Sequence, residues 1–261
     1  MKIRSFIGGG LIGSLGGLIG LGGAEFRLPY LVGVLKIDTL HAVMLNISIS
    51  LVTVAFALVF RGVDAPLFAH FDVVLNLLSG TLLGAWLGAN YASKIDTKKL
   101  NRYIFSLLVF LSLTLFAHLL FDYASGLELS KEVQISLGFV IGVVIGMISS
   151  LLGVAGGELL IPTIVLIYGI DIKLAGSLSL AISLPTLLIA LYKYYHNGRL
   201  VESIAYKDVI VFMSIGSIIG AFVGARMYGL VDAFYLEGLL GIILLISAYK
   251  LFMKNDRVYI E

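Results

Sequence analysis

The chain has 261 residues, 59% of them hydrophobic and only 13% charged, with a mean hydropathy of +1.05. A soluble domain carries about 25% charged residues, so this composition excludes a soluble globular protein and puts the chain in a bilayer. The net charge of +2 excludes little, but the lack of cysteine rules out disulfides, thiolate metal sites and any thiol relay.

In chain order, apolar runs lie at roughly 5–22, 27–36, 39–60, 71–93, 101–121, 133–155, 159–169, 172–195, 207–230 and 234–253. A membrane-crossing helix needs about 20 apolar residues, so 27–36 and 159–169 are too short to span. The start, Met1-Lys2-Ile3-Arg4 before an apolar run, has the look of a cleaved leader. It is expected to stay in the mature protein, because the run leads directly into a motif that the second half repeats.

That motif is Gly20-Leu21-Gly22-Gly23-Ala24-Glu25-Phe26-Arg27-Leu28-Pro29. Its copy is Gly153-Val154-Ala155-Gly156-Gly157-Glu158-Leu159-Leu160-Ile161-Pro162, so that Gly20, Glu25 and Pro29 recur 133 positions later. Glycine weakens a helix, and proline removes a donor and clashes with the preceding turn. Each copy therefore predicts a break, and backbone freed at membrane depth is tolerated only where protein or water satisfies it.

Other landmarks share the offset: Asp38 with Asp171, Ala42 with Ala175, Ser50 with Ser183. Further on, Gly80, Gly84 and Gly88 match Gly216, Gly220 and Gly224 at an offset of 136, as Asp96 matches Asp232. The chain thus divides into repeat 1 (1–124), a polar linker (125–130), repeat 2 (131–254) and a tail (255–261). Basic residues accumulate on the cytoplasmic side. If each repeat is a re-entrant hairpin plus three spans, the second enters inverted. Of the 18 basic residues, 13 then fall inside, Arg61, Lys131, Lys173 and Arg226 outside, and Arg27 within the membrane. Four full spans per repeat give at best 10 against 7. The expected fold is an all-α polytopic membrane protein of two inverted repeats, each a broken hairpin plus three transmembrane helices, with both termini cytoplasmic. Broken helices in inverted repeats are a transporter architecture with its site near the midplane. Gly9/Gly13/Gly17, Gly80/Gly84/Gly88, Gly138/Gly142/Gly146 and Gly216/Gly220/Gly224 are spaced for close helix packing and are given no ligand role.

The paired Gly-rich motifs, the length and the two-half layout resemble the TauE/SafE sulfite-exporter family (4-toluene sulfonate uptake permeases). The resemblance covers nearly the whole chain. It implies a multi-pass plasma-membrane transporter handling small anions such as sulfite, sulfonates and related sulfur compounds. Leu160 stands where the first copy has Arg27, so any anion site is asymmetric.

Several residues are candidates for that site. Glu25 and Glu158 are expected at membrane depth, where a carboxylate costs roughly 3 kcal/mol by insertion scales. They are either coupling groups for protons or a counter-ion, or caps and ion-pair partners. Arg27 offers a fork of donors suited to a sulfonate or carboxylate. It either attracts the anion or pairs with Glu25 or Glu158. The glycines Gly22, Gly23, Gly156 and Gly157, with Ala24, place backbone amides at half-helix starts, an arrangement that binds anions. This feature is common to both halves and is the main expectation for substrate contact. Asn46 and Ser50 share a helix face, as do Ser179 and Ser183. They either line the cavity or bond helix backbone, and Pro185 is expected to kink their helix. Asp38, Asp96, Asp171 and Asp232 are expected N-caps. His41, His70, His118 and His196 lack metal-ligand spacing. Tyr192, Tyr194 and Tyr195 with Lys193 suggest an interfacial aromatic belt.

No nucleotide-binding motif and no cofactor signature is present, and no cluster pairs a nucleophile with a base. The expectation is a secondary transporter and not an enzyme. Its partners are a small anion, protons through Glu25 and Glu158, and the lipid bilayer, without nucleic acid. A passive anion channel and a non-transporting assembly factor are the alternatives.

Overall fold

The first apolar run stays helical from Lys2 to Ile19 (α1) and stops at Gly20, whose φ of 90° is left-handed. A new helix, Ala24–Gly33 (α2), starts from Gly23, also left-handed at φ 72°. The second copy repeats this. Lys131–Leu152 (α5) ends at Gly153 (φ 67°), and Gly157–Tyr168 (α6) starts from Gly156 (φ 80°). A side chain at these positions would strain the backbone, so the glycines set both breaks. Pro29 and Pro162 lie inside the short helices and do not end them.

The remaining helices are Thr39–Arg61 (α3), Phe71–Ala92 (α4), Ile172–His196 (α7) and Lys207–Met227 (α8). The computed structural model describes residues 1–61, 69–92, 129–197 and 205–227, with scattered positions in 102–117 and 230–249. The expected runs at 101–121 and 234–253 fall largely outside the described residues, as do Asp96, His118, the linker up to 128 and the tail. Among the described residues there is no strand. Among the described residues, five helices, α3, α4, α5, α7 and α8, are long and apolar enough to cross a membrane. The protein is all-helical and polytopic.

Both short helices fold back along the helix before them. The Tyr30 hydroxyl in α2 donates to the Arg4 carbonyl at 2.7 Å, while a Cβ on Gly23 would lie 2.8 Å from the Ile12 carbonyl oxygen. In repeat 2, Tyr168 donates to the Gln134 carbonyl at 3.4 Å and Gln134 returns a bond to the Ile167 carbonyl at 3.0 Å. Residues 23–30 thus run antiparallel to 12–4, and 156–168 to 149–134. These are re-entrant hairpins.

The four glycine ladders pair across the repeats. A Cβ at Gly9, Gly13 or Gly17 of α1 would meet the backbone at Met213, Ser217 or Ala221 of α8. One at Gly80 or Gly84 of α4 would meet the backbone around Phe139 and Val143 or Val143 and Met147 of α5. Residue numbers rise together in both pairs, so the helices are parallel. Small residues one turn apart allow this approach, and dispersion and Cα–H···O contacts then hold the helices in lipid.

The repeats also exchange caps. Asn46 Nδ2 of α3 donates to the Gly153 carbonyl at 2.7 Å, and Ser179 Oγ of α7 donates to the Gly20 carbonyl at 3.0 Å. Both the donors and the acceptors are 133 positions apart. Arg61, ending α3, lies against Gly176 near the start of α7. Tyr194, near the end of α7, donates to the Ser150 carbonyl, one turn before the Gly153 that Asn46 caps near the start of α3. The helices α3 and α7 are therefore antiparallel, which is compatible with inverted copies.

Asp171 accepts from the Lys173 amide at 2.8 Å, Asp38 from Leu40 at 3.0 Å and Asp232 from Phe234 at 2.9 Å, as N-caps do. Asp171→Ala should cost about 1 kcal/mol. A modestly lower melting temperature of the purified protein, with normal transport, is the expected result. Pro185 sits within α7, which continues through it from Ile172 to His196. The expected aromatic belt needs a correction. Tyr192 and Tyr195 are exposed, but Tyr194 is 0% exposed, and Lys193 is buried with its Nζ 3.2 Å from the Trp86 ring centroid. Successive helical residues are about 100° apart, so 193 and 194 face inward when 192 and 195 face lipid.

Candidate functional site

The two hairpin tips meet. A Cβ on Gly157 would lie 3.1 Å from the Leu21 carbonyl oxygen, and one on Gly22 would lie 3.5 Å from the Ala155 Cβ. The N-termini of α2 and α6 therefore converge from opposite repeats. Neither N-cap, Gly23 or Gly156, has a side chain to cover the first-turn amides. The amides of a helix start and the helix dipole both favour negative charge.

Charged side chains are buried at this junction. Arg27 is 0% exposed, Glu25 1% and Glu158 7%. Arg27 is held by neutral acceptors. Its Nη1 donates to Ser50 Oγ at 2.7 Å and Asn46 Oδ1 at 3.4 Å, and its Nη2 to Thr53 Oγ1 at 3.0 Å and the Gly22 carbonyl at 3.3 Å. Its Nε has no partner. Neither glutamate forms an ion pair with Arg27 among the described residues. Residues 25 and 27 are two apart on α2, and i, i+2 side chains point away from each other. The expected alternative of an Arg27–Glu25 pair is thus not what the structure holds, although Glu25 still acts on Arg27 at a distance.

Glu25 faces Glu158 instead. The two carboxyls are buried as close neighbours where the tips meet, and a hydrogen bond between two carboxyls forms only when one of them carries a proton. Among the described residues, no side chain outside the pair donates to either oxygen of Glu25 or to Oε1 of Glu158. Repeat 2 has no second cation here, since Leu160 occupies the place of Arg27 and is buried.

Asn46 ties the junction together. Beyond Gly153, its Nδ2 donates to the Ala24 carbonyl at 2.8 Å while Oδ1 accepts from Arg27. One side chain so bridges both hairpins and the buried cation. Ser179 caps Gly20 and also bonds the Gly176 carbonyl at 2.9 Å. Ser183 is buried, and its hydroxyl has no partner among the described residues. Gly22, Ala24, Arg27, Asn46 and Ser50 thus share one network, Glu25 and Glu158 face each other, and Gly157 and Ser179 touch the opposite tip.

The sequence matches the family described as Sulfite exporter TauE/SafE over residues 1–115 and 118–259. The chain belongs to the sulfite exporter TauE/SafE family. This family is one of membrane transporters of sulfur anions, which agrees with the multi-pass helical fold and a junction built from two glycine-capped helix starts and a buried guanidinium. No curated protein and no solved structure matches the chain.

Two residues at the junction escaped sequence reasoning. Thr53 is the fourth acceptor of Arg27, and it lies seven residues after Asn46 and three after Ser50, on the same helical face. That spacing was a usable signal. Arg61 donates to the Leu18 carbonyl at 3.5 Å, near the end of α1. Tyr194, 133 positions later, does the same for Ser150 in α5. A cation near a helix C-terminus is favourable, but its position at the end of an apolar run suggested only a boundary.

Proposed function

We propose that the protein is a secondary transporter that moves a small sulfur oxyanion or organic sulfonate across the plasma membrane, with both termini cytoplasmic. The anion sits where the tips of α2 and α6 meet, held by first-turn amides and drawn by Arg27. Gly22, Gly23, Ala24, Gly156 and Gly157 form its backbone wall, and Asn46, Ser50, Ser179 and Ser183 surround it from α3 and α7. The two repeats rock to expose this place to each side in turn, and Glu25 and Glu158 carry the coupled protons. One observation carries the reading: two glycine-capped half-helix starts converge beside a buried guanidinium that has no ion-pair partner among the described residues.

Flux into proteoliposomes tests it. Uptake of sulfite or a sulfonate should rise several-fold with an imposed pH gradient, and Glu25→Gln/Glu158→Gln should abolish that response. Flux indifferent to the gradient would remove the coupling. Conductance in planar bilayers far above carrier turnover would mark a passive channel instead.

A further inference from the structure

An arginine near the end of a membrane helix ordinarily turns its guanidinium out to the interface, because a cation in lipid is costly. Arg61, which ends α3, turns inward instead. A Cβ on Gly176 of α7 would lie 2.7 Å from its Nη1, and one on Gly20 of the first tip would collide with the same nitrogen. Nε and Nη1 are buried, although the residue as a whole is only half-buried. Its Nη2 donates to the Leu18 carbonyl at 3.5 Å. The guanidinium thus fills a slot that two glycines leave open over the first tip.

Closing the end of α1 does not require a cation, and the second repeat shows why. The helices α3 and α7 begin 133 positions apart, at Thr39 and Ile172, so Tyr194 takes the place of Arg61. Its neutral hydroxyl serves the end of α5 by donating to the Ser150 carbonyl at 3.1 Å. Val43 takes the place of Gly176 and fills the matching slot itself, since a Cβ on Gly153 would lie 2.9 Å from Val43 Cγ1. The neighbouring Lys193 places its Nζ over the Trp86 ring of α4. One repeat therefore closes its tip with neutral groups, while the other omits a side chain at Gly176 to seat a charge. Both guanidiniums of repeat 1 serve the same tip. Arg27 donates to the Gly22 carbonyl at 3.3 Å, and Arg61 to the Leu18 carbonyl four residues before it. Arg61 lies two turns beyond Thr53, about 12 Å along α3, toward the face at which that helix ends.

We infer that Arg61 is a second contact for the oxyanion, met on the way from the face at which α3 ends to the junction of the tips. The solute reaches the Arg61 guanidinium first and passes along the first tip to Arg27. The charge, and not the cap, is what the arginine adds over a tyrosine. The inference rests on the carrier reading above and adds a residue and an entry face to it.

The chain has no cysteine, so a single one at this position is a clean probe. In oriented membrane vesicles, Arg61→Cys should raise the half-saturation concentration for sulfite uptake about tenfold or more, the loss of one charge-assisted contact. A membrane-impermeant methanethiosulfonate bearing a trimethylammonium group, added at the face where α3 ends, should restore most of that affinity. The analogous reagent bearing a sulfonate should not, and sulfite present during labelling should slow both reactions. Arg61→Tyr, which keeps the donor that repeat 2 uses, should lose affinity as Arg61→Cys does, with little change in melting temperature. An arginine that only caps α1 gives the reverse: a lower melting temperature, unchanged half-saturation, and equal effects of the two reagents. That result, or no labelling from either face, overturns the inference and leaves the carrier reading intact. If Arg61→Cys does not fold, Arg61→Lys should keep more affinity than Arg61→Tyr, and equal affinities overturn it. Failure of the unaltered chain to take up either sulfite or isethionate overturns both.

Discussion

Arg27→Leu is expected to lower anion affinity and transport by about ten- to a hundredfold while leaving the protein folded. Leucine is the residue that repeat 2 already carries at the matching position, buried as Leu160. The substitution removes the fixed positive charge that α2 brings to the junction. Charge-assisted bonds to an oxyanion contribute about 1.5–3 kcal/mol each, and each 1.4 kcal/mol is a factor of ten in affinity. One such bond, from the Arg27 Nε–H that no acceptor holds among the described residues, accounts for the expected loss. Folding should suffer less. The released acceptors are neutral, Thr53 already donates to the Ile49 carbonyl, and Ser50 lies 3.5 Å from Asn46 Oδ1. Replacing a buried charge by an apolar group is often close to neutral. Arg27→Lys should fall between, because it keeps the charge and loses the fork that reaches four acceptors. Binding titrations and thermal melts of the three proteins separate affinity from stability. An unchanged affinity in Arg27→Leu would remove this residue from the site.

The second large effect is structural. Gly84→Val should lower the melting temperature by roughly 5 °C or more and reduce the yield of folded protein. A Cβ at Gly84 would collide with the Val143 carbonyl and approach the Met147 nitrogen to 2.8 Å. These are backbone atoms of α5, so no rotamer can relieve them, and the helices must separate. Overpacking of this kind costs about 1–3 kcal/mol, which corresponds to roughly 2–4 °C per kcal/mol in a chain of this size. Gly33→Ala is the control. Nothing lies within 4 Å of a Cβ there, so it should gain a few tenths of a kcal/mol from helix propensity. Differential scanning fluorimetry of both variants checks the contrast, and equal melting points would mean that α4 and α5 are not held in close register.

Much of this architecture is written locally. Each break is encoded by left-handed glycines within a four-residue window, and the caps at Asp38 and Asp171 by a side chain two residues from its amide. The short runs after the breaks were too short to span, and the structure folds both of them back. Tyr194 was less legible, because its composition is that of a belt residue and only the facing of α7 buries it. Arg27 was legible as a buried cation, but its partners were not. The i, i+2 geometry already disfavoured Glu25, and the spacing of Thr53 from Asn46 and Ser50 put it on their face of α3, yet nothing local brings Glu158 near Glu25.

The sequence by itself determined the bilayer setting, the two breaks, the short half-helices and the glycine spacing. These follow from transfer energies and backbone sterics acting within a turn or two. Tertiary structure alone decided that the ladder of α1 meets α8 and that of α4 meets α5. It also decided that Asn46 caps the opposite repeat and that Glu25 faces Glu158. Those partners are more than 50 residues apart in the chain, up to more than 200 for α1 and α8. In lipid, where apolar burial does not choose between helices, the choice falls to shape complementarity and a few buried hydrogen bonds.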